Sequence, residues 1–410
     1  SSRLYRMLSE KKKHGKVFCF TVSSFSASIG ALIFTWPLAA YYFGTLVLVS
    51  PLSNLLCLWA ASGIFLTGLL SLGVSVIWLP LGTLIGLVPR LLIAYLLRAA
   101  HMLASLPHHA LSMDNRYLWL WLAFAYILFA AAYLGRGGKR RRSVLAAVLA
   151  AVTLGASIRL WVGRYEDGRL HILALDVGQG ASTLLCDGGA FALVDCGSSN
   201  SWYSAGDIAA NRLRSMGCDR LDTLVLTHYD TDHVNGVEEL MTLLPVETLL
   251  VPDTADDTGV RESVLLAAAA HGTAVKMVTD VHTISMGEST LRLYPVAGGE
   301  TDNDSGLALL CSREEHDLLI TGDMDAAGER RLLETWELPD IDILEVGHHG
   351  SASSTCEDLL DALRPETAII SVGSGNSYGH PADETLRRLR KVGADIYRTD
   401  LQGTIELTLN

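Results

Sequence analysis

The sequence predicts two architectures in one chain. A multi-span α-helical membrane segment fills residues 1–165. An α/β domain over residues 166–410 follows, with two sheets packed face to face and helices outside. Three observations carry this reading. Ser1–Tyr165 holds 16 Lys+Arg against 2 Asp+Glu, whereas Glu166–Asn410 holds 16 against 42, so a net of +14 is joined to one of −26. Long uncharged runs fill the basic part. After residue 169 the pattern changes to short β-type runs ended by Gly, Asp and Asn. Half the residues are apolar and the mean hydropathy is +0.30, which excludes disorder and a single uniform soluble domain.

Residues 17–49 and 51–89 are almost wholly uncharged, and each exceeds the ~20 residues a bilayer-spanning helix needs. Pro51, Pro80 and Pro89 break them. Tyr117–Leu134 and Val144–Val162 are further spans, the first opening on Tyr117, Trp119 and Trp121 at an interface position. Residues 91–106 differ: Arg90, Arg98, His101 and Ser105 predict an amphipathic helix on the membrane surface or lining a cavity. Basic clusters at Lys11–Lys13 with Lys16, and at Arg136, Lys139 and Arg140–Arg142, belong in the cytoplasm by the positive-inside rule. The last span then carries the α/β domain outward. Ser1 opens no signal peptide, which reads as part of a longer chain. Seven cysteines make no disulfide framework, although a bridge between Cys186 and Cys196 is possible if they sit on neighbouring strands.

Strands are expected at Leu170–Leu175, Ser182–Cys186, Phe191–Val194, Thr223–Thr227 and Thr248–Val251. Helices at Ile208–Met216, Glu238–Leu243 and Arg261–Ala270 interleave with them. A second series has strands at Thr290–Tyr294, Leu307–Cys311, Asp317–Thr321, Ile343–Val346, Thr367–Val372 and Asp395–Arg398. Its helices lie near Gly328–Trp336, Cys356–Leu363 and Asp383–Val392.

The chemistry concentrates in His228-Tyr229-Asp230-Thr231-Asp232-His233, directly after an apolar strand. Four ligand-type side chains within six residues, in a loop closing a strand, cannot all point into a core. An extended loop aims His228, Asp230 and Asp232 one way, and His233 joins them at a turn. Imidazole nitrogen and carboxylate oxygen suit zinc or manganese. Three more strand ends supply Asp323, the pair His348 and His349, and His380, which together build a two-metal site. Two divalent ions lower the pKa of a shared water and neutralise charge on both oxygens of an in-line displacement. A phosphodiester needs both kinds of help. His349, Asn376 and His380 are candidates to hold the phosphate or protonate the leaving oxygen. The net of −26 predicts weak intrinsic affinity for DNA. One basic cluster, Arg387, Arg388, Arg390 and Lys391, is either a backbone contact or a solvated face.

The strings LDVGQGAS, LVDCGS, LVLTHYDTDHVNGV, TDNDSGLALL, LLITGDM, VGHHGSASS, SVGSGNSYGHP and YRTDLQGTI run in order over residues 170–407. They are similar to the metallo-β-lactamase fold, and their combination resembles the ComEC family of bacterial DNA-internalisation competence proteins. The membrane half resembles the end of that family's competence domain. The resemblance implies an αββα sandwich with two divalent ions, Mn or Zn. Site one would take His228 and Asp230; site two would take Asp232, His233 and His348, with Asp323 bridging. Asp232, His349 and His380 become catalytic candidates, and Asn303, Ser351 and Asn376 substrate-binding ones. Asp230 replaces the fold's usual second His. The usual third His is absent from Thr301-Asp302-Asn303-Asp304-Ser305, where Asn303 or Asp304 could complete the site. Asp195 would brace the ligand loop, while Gly178, Gly180 and Gly197 serve tight turns.

The implied function is a plasma-membrane channel for DNA uptake in natural transformation. Its extracytoplasmic domain would hydrolyse phosphodiesters of the strand that is not transported. DNA, membrane lipid and other competence proteins are the implied partners. Two alternatives stay open: a metal-poor, non-catalytic DNA-guiding domain, and a hydrolase of a small molecule.

Overall fold

Prolines and long apolar runs set the first half of the chain. The computed structural model describes residues 16–409 apart from 105, 107–109, 114, 136–137, 200–203, 255–257 and 299–304. It divides into two units, Ser1–Ile158 and Arg159–Asn410. In the first, the helices are α1 (Lys16–Phe43), α2 (Ser50–Ile77), α3 (Leu79–Ile85), α4 (Leu87–Ala104), α5 (Arg116–Leu134) and α6 (Lys139–Val162), which runs on into the second unit. Pro51 and Pro80 occupy first turns of α2 and α3, where an N–H would have no helical partner anyway. Asn115 caps α5 by accepting from Tyr117 N–H. A short antiparallel pair, β1 (Thr45–Val47) with β2 (Ala110–Ser112), joins the α1 and α5 ends.

Among the described residues, four stretches are long and apolar enough to cross a membrane: Ser50–Ile77, Leu79–Leu103, Arg116–Leu134 and Lys139–Val162. Within α1, Ala27–Tyr42 is a shorter apolar helix. Residues 91–106 lie mostly in α4, which with α3 makes the stretch Leu79–Leu103; Arg90 and Arg98 are its only two charges.

The second unit holds two seven-stranded sheets. The first has strand order β16-β3-β4-β5-β6-β7-β8: β3 (Leu170–Ala174), β4 (Thr183–Asp187), β5 (Ala190–Val194), β6 (Leu221–Val225), β7 (Val246–Pro252), β8 (Ala274–Val278) and β16 (Ile405–Leu409). The second runs from β9 to β15 in sequence: β9 (His282–Met286), β10 (Ser289–Val296), β11 (Gly306–Arg313), β12 (His316–Ile320), β13 (Ile343–Glu345), β14 (Thr367–Ile370) and β15 (Asp395–Arg398). Each sheet begins as an antiparallel meander and ends in parallel pairs, β5 to β8 in one and β12 to β15 in the other.

Alternate residues of the two sheets meet in a shared core. Leu170, Ile172, Leu185 and Val194 from one pack with Leu291, Leu309, Leu318 and Ile369 from the other. Each fully buried Leu there contributes roughly 1.5–3 kcal/mol. Helices α7 (Ala205–Ser215), α8 (Thr231–Val234), α9 (Val237–Leu243) and α10 (Val260–His271) follow strands of the first sheet. The opposite face of the second sheet, including Leu310, Leu319 and Leu344, is covered by α11 (Ala326–Thr335), α12 (Glu357–Leu363) and α13 (Asp383–Val392) through Leu332, Leu360 and Leu389. Burial on both faces explains why these strands read as continuous apolar runs. Cys186 and Cys196 are both buried free thiols, so the possible bridge does not form.

Candidate metal centre

The site gathers at the carboxyl ends of the parallel strands, where loops are free to present side chains. β6 delivers Thr227 to His233, β12 delivers Asp323, β13 delivers His348 and His349, and β14 delivers the loop to His380. Asp230 sits just ahead of α8 (Thr231–Val234), the turn that swings His233 back toward His228. The two imidazole rings lie 4.1 Å apart between centroids.

Backbone contacts hold this loop in place. Ala181 N–H donates to Asp232 C=O, Cys196 N–H to His233 C=O, and Gly236 N–H to Cys196 C=O. The approach is so close that a Cβ on Gly197 or Gly180 would fall under 3.0 Å from the Asp232 carbonyl. This is the physical content of the GQG and DCG strings: they let three backbone segments touch beneath the ligands.

Asp195 lies under the cluster at φ 57°, a left-handed conformation uncommon outside Gly. Its Oδ1 accepts from Thr227 N–H at 2.8 Å. Its Oδ2 accepts from the Thr227 hydroxyl and lies 2.7 Å from His233 Nδ1. Asp195 therefore braces the loop, as expected. With both oxygens engaged it is poorly placed to bind an ion, although its donor atom lies near those of His228 and His233. The pairing puts the His233 proton on Nδ1 and leaves Nε2 to the cluster, 3.0 Å from Asp323 Oδ1.

The histidine pair is arranged differently from the expected assignment. His348 and His349 both have positive φ, 50° and 54°, a strained backbone that sends the two rings apart. His349 is buried, and its Nδ1 bonds the Ser371 carbonyl at 2.9 Å. Its Nε2 thus faces Asp232 Oδ2 at 3.3 Å and Asp323 Oδ2 at 3.7 Å. His348 keeps 26% of its side chain exposed, 3.7 Å from Asp323. It belongs to none of the close donor groups among the described residues. Those that leave Asp195 aside are Asp232, His233, His349 and His228, Asp230, Asp323. Of the pair, the geometry thus brings His349 and not His348 into a close donor group.

The donor chemistry fits divalent cations. Nε2 of His228, His233 and His349 are buried without a hydrogen-bond partner, all close to carboxylates. A cavity of about 20 Å³ lies among Asp195, His233, Asp323, Glu345, His348 and His349. Burial opposes ionisation of Asp323, yet the charges on His233 and His349 hold it well below the usual carboxylate range. Burial likewise opposes charge on His233, but Asp323 and Asp195 outweigh it and raise its pKa well above the ordinary value. The same balance lowers Asp232 and raises His349. The carboxylates thus demand positive charge, met by protons on imidazole or by a cation that displaces them.

The outer candidates separate. His380 is half-buried, its ring 5.6 Å from His348, and burial followed by the His348 and His349 charges lowers its pKa. Asn376 does not offer its amide to a substrate. Its Oδ1 accepts from Tyr378 and His380 N–H, and its Nδ2 donates to Gly373 and His380 C=O, so it pins the loop. Ser351 Oγ is 3.0 Å from Ser353 Oγ, within its own turn. Asn303 and Asp304 lie outside the described residues. Of the basic cluster, Lys391 pairs with Glu357, and Arg388 pairs with Glu384 and bonds the Ala352 and Ser354 carbonyls.

One contributor escaped the sequence reading. Glu345 is buried at the end of β13, accepting from the hydroxyls of Thr183 (2.9 Å) and Ser371 (2.8 Å). Ser371 is the residue whose carbonyl orients His349, so Glu345 supports that ring from behind. The signal was a single acid within an otherwise apolar strand.

Comparison with known proteins gives consistent matches. Residues 1–137 match the competence protein family, and residues 175–374 match the metallo-beta-lactamase superfamily. ComE operon protein 3 of Bacillus subtilis (strain 168) is 34% identical over 196 residues, covering 47% of this chain and 25% of that protein. Recombination protein 2 of Haemophilus influenzae is 30% identical over 233 residues, 57% of this chain and 28% of that protein. The chain thus spans about a quarter of either relative. Among solved structures, the metallo-beta-lactamase fold protein YhfI from Bacillus subtilis is 12% identical. It aligns with a TM-score of 0.41 over 58% of this chain and 99% of its own.

Proposed function

Since the chain belongs to the ComEC family of competence proteins, joining their membrane segment to a metallo-β-lactamase domain, we propose that it serves DNA uptake and hydrolyses phosphodiesters of incoming DNA. The observation that carries the reading is the convergence of three buried, unpartnered imidazole Nε2 atoms on Asp230, Asp232 and Asp323. In this assignment His228 and Asp230 would hold one cation and Asp232, His233 and His349 the other, with Asp323 available to either. Mn or Zn suits these donors. Two such cations, when bound, supply Lewis-acid activation of water and neutralise charge on a phosphate.

The chain's own residues do the rest. Asp195 and the Ser371 carbonyl fix the His233 and His349 tautomers. His348 and His380 stand at the mouth to hold phosphate oxygens, and His380 is suited to exchange a proton with the leaving oxygen. The attacking water's oxygen bonds phosphorus as the P–O ester bond breaks. Asp232 is positioned to receive the water proton.

The domain's net charge of −26 keeps intrinsic DNA affinity weak, so the membrane segment must deliver the strand. The extracytoplasmic placement rests on the basic clusters. With α1 crossing as well as the four long apolar stretches, the chain returns to its starting side between α5 and α6. The Lys11–Lys16 and Arg136–Arg142 clusters then share the cytoplasm, and the α/β domain emerges outside. Were residues 91–106 confined to the surface, the two clusters would fall on opposite sides.

The test uses the purified full chain in detergent, loaded with Mn²⁺ or Zn²⁺ and offered single- and double-stranded DNA beside a lactone and a β-lactam. Cation-dependent cleavage of DNA alone supports the reading. Turnover of a small molecule with DNA untouched overturns it.

A further inference from the structure

The mouth of the site carries an aromatic side chain with no role in holding cations. Tyr378 is 62% exposed and is the only exposed aromatic among the described residues of the second unit. The loop around it is rigid: Asn376 makes four hydrogen bonds to it, two of them framing Tyr378 and His380. Gly375 and Gly379, at φ 67° and 76°, bend the chain on either side so that Tyr378 stands at its tip.

The ring also has a direction. Tyr378 lies nearly parallel to His380, at 27° with centroids 5.9 Å apart, and His380 nearly parallel to the buried His349, at 28° and 6.5 Å. Three rings thus run from the buried His349 through the half-buried His380 to the exposed Tyr378. A chain whose phosphate sat among His349, His380 and His348 would bring a neighbouring base onto the ring of Tyr378. Every base has a π-face, so such a platform is indifferent to sequence. A duplex offers no free face, because its bases are stacked on each other.

We propose that Tyr378 is a stacking platform for a base next to the scissile phosphate, making single-stranded DNA the preferred substrate. The proposal rests on the phosphodiester reading above and adds the form of DNA that the site takes.

The experiment measures binding apart from cleavage. The full chain in detergent, with chelator present and low salt, is titrated into oligothymidylate carrying one 2-aminopurine, whose fluorescence falls on stacking. The parent should quench it. Tyr378→Ala should lose the quench and bind roughly 5- to 100-fold more weakly, and Tyr378→Phe should keep both. A strand with abasic tetrahydrofuran units at the same positions should bind the parent and Tyr378→Ala equally. Equal quench and affinity for the parent and Tyr378→Ala overturn the platform, as does a Tyr378→Phe variant as weak as Tyr378→Ala. If those results come with Mn²⁺-dependent DNA cleavage intact, only the platform fails. A quench lost in Tyr378→Ala, in a protein that cuts no DNA with any cation, supports the platform and removes the hydrolase reading.

Discussion

Asp195→Asn tests how the site is held rather than what it holds. The Asp195 backbone sits at φ 57°, which Asn tolerates at least as well as Asp, so the exchange adds no backbone strain. The amide oxygen can keep the Thr227 N–H bond made by Oδ1 at 2.8 Å. The amide nitrogen must then take the place of Oδ2, which sits 2.7 Å from His233 Nδ1. There it donates instead of accepting, so the imidazole proton moves to Nε2 and blocks the lone pair that faces Asp323. Losing such an outer partner typically weakens metal affinity 10- to 100-fold, or about 1.4–2.7 kcal/mol. A chelator-competition titration of Mn²⁺ into the full chain measures this, with thermal unfolding as a control on folding. Unchanged affinity in a folded Asp195→Asn protein would show that the tautomer of His233 is not set by Asp195.

Three further outcomes follow from the geometry. His349→Ala should lose at least ten-fold in cation affinity while His348→Ala loses less, because only His349 lies in a close donor group; titration of both variants decides, and the reverse order would restore His348 as the ligand. Gly197→Ala forces a methyl against the Asp232 carbonyl and should cost roughly 100-fold in cleavage, since ångström-scale misplacement commonly does; cleavage at the parent rate would contradict the close-packing account. Glu329 is fully buried and burial raises its carboxyl to about 7, so its protonated form stabilises fully below the unfolded value near 4.5 and that contribution disappears as pH rises through 7. The contribution is about 3 kcal/mol, so Glu329→Gln should flatten the pH 5 to 8 part of the thermal-unfolding profile, and an unaltered profile would place the titration elsewhere.

Much of this was legible because the decisive signals are local. Strands such as β3, β5 and β11 are buried on both faces and therefore read as apolar runs, and the predicted span over residues 51–89 begins at Pro51, which α2 uses in its first turn. Strands β8, β9 and β16 were not predicted. The first is an exposed edge strand, while HTISM and IELTL mix polar and apolar residues too briefly to stand out. At the site, residue type and strand-end position singled out the donors, but not which neighbour turns inward. His348 and His349 differ by one residue, and only their paired left-handed conformations determine that the second ring enters the cluster. Asn376 looked like a substrate contact because its amide could serve one; the loop consumes all of it. Glu345 acts through Ser371, a residue 26 positions away, which no local pattern displays.

The central claim is that these donors hold the cations that cleave DNA. The most direct measurement titrates Mn²⁺ into the full chain while following bound cation and cleavage of single-stranded DNA in the same sample, for the parent and for Asp323→Asn. An amide at residue 323 cannot serve two cations as the carboxylate does. The account predicts that cleavage rises with occupancy in the parent, and that Asp323→Asn loses occupancy and cleavage together. Cation bound fully by the parent without any DNA cleavage, or cleavage by Asp323→Asn at the parent rate, would contradict it.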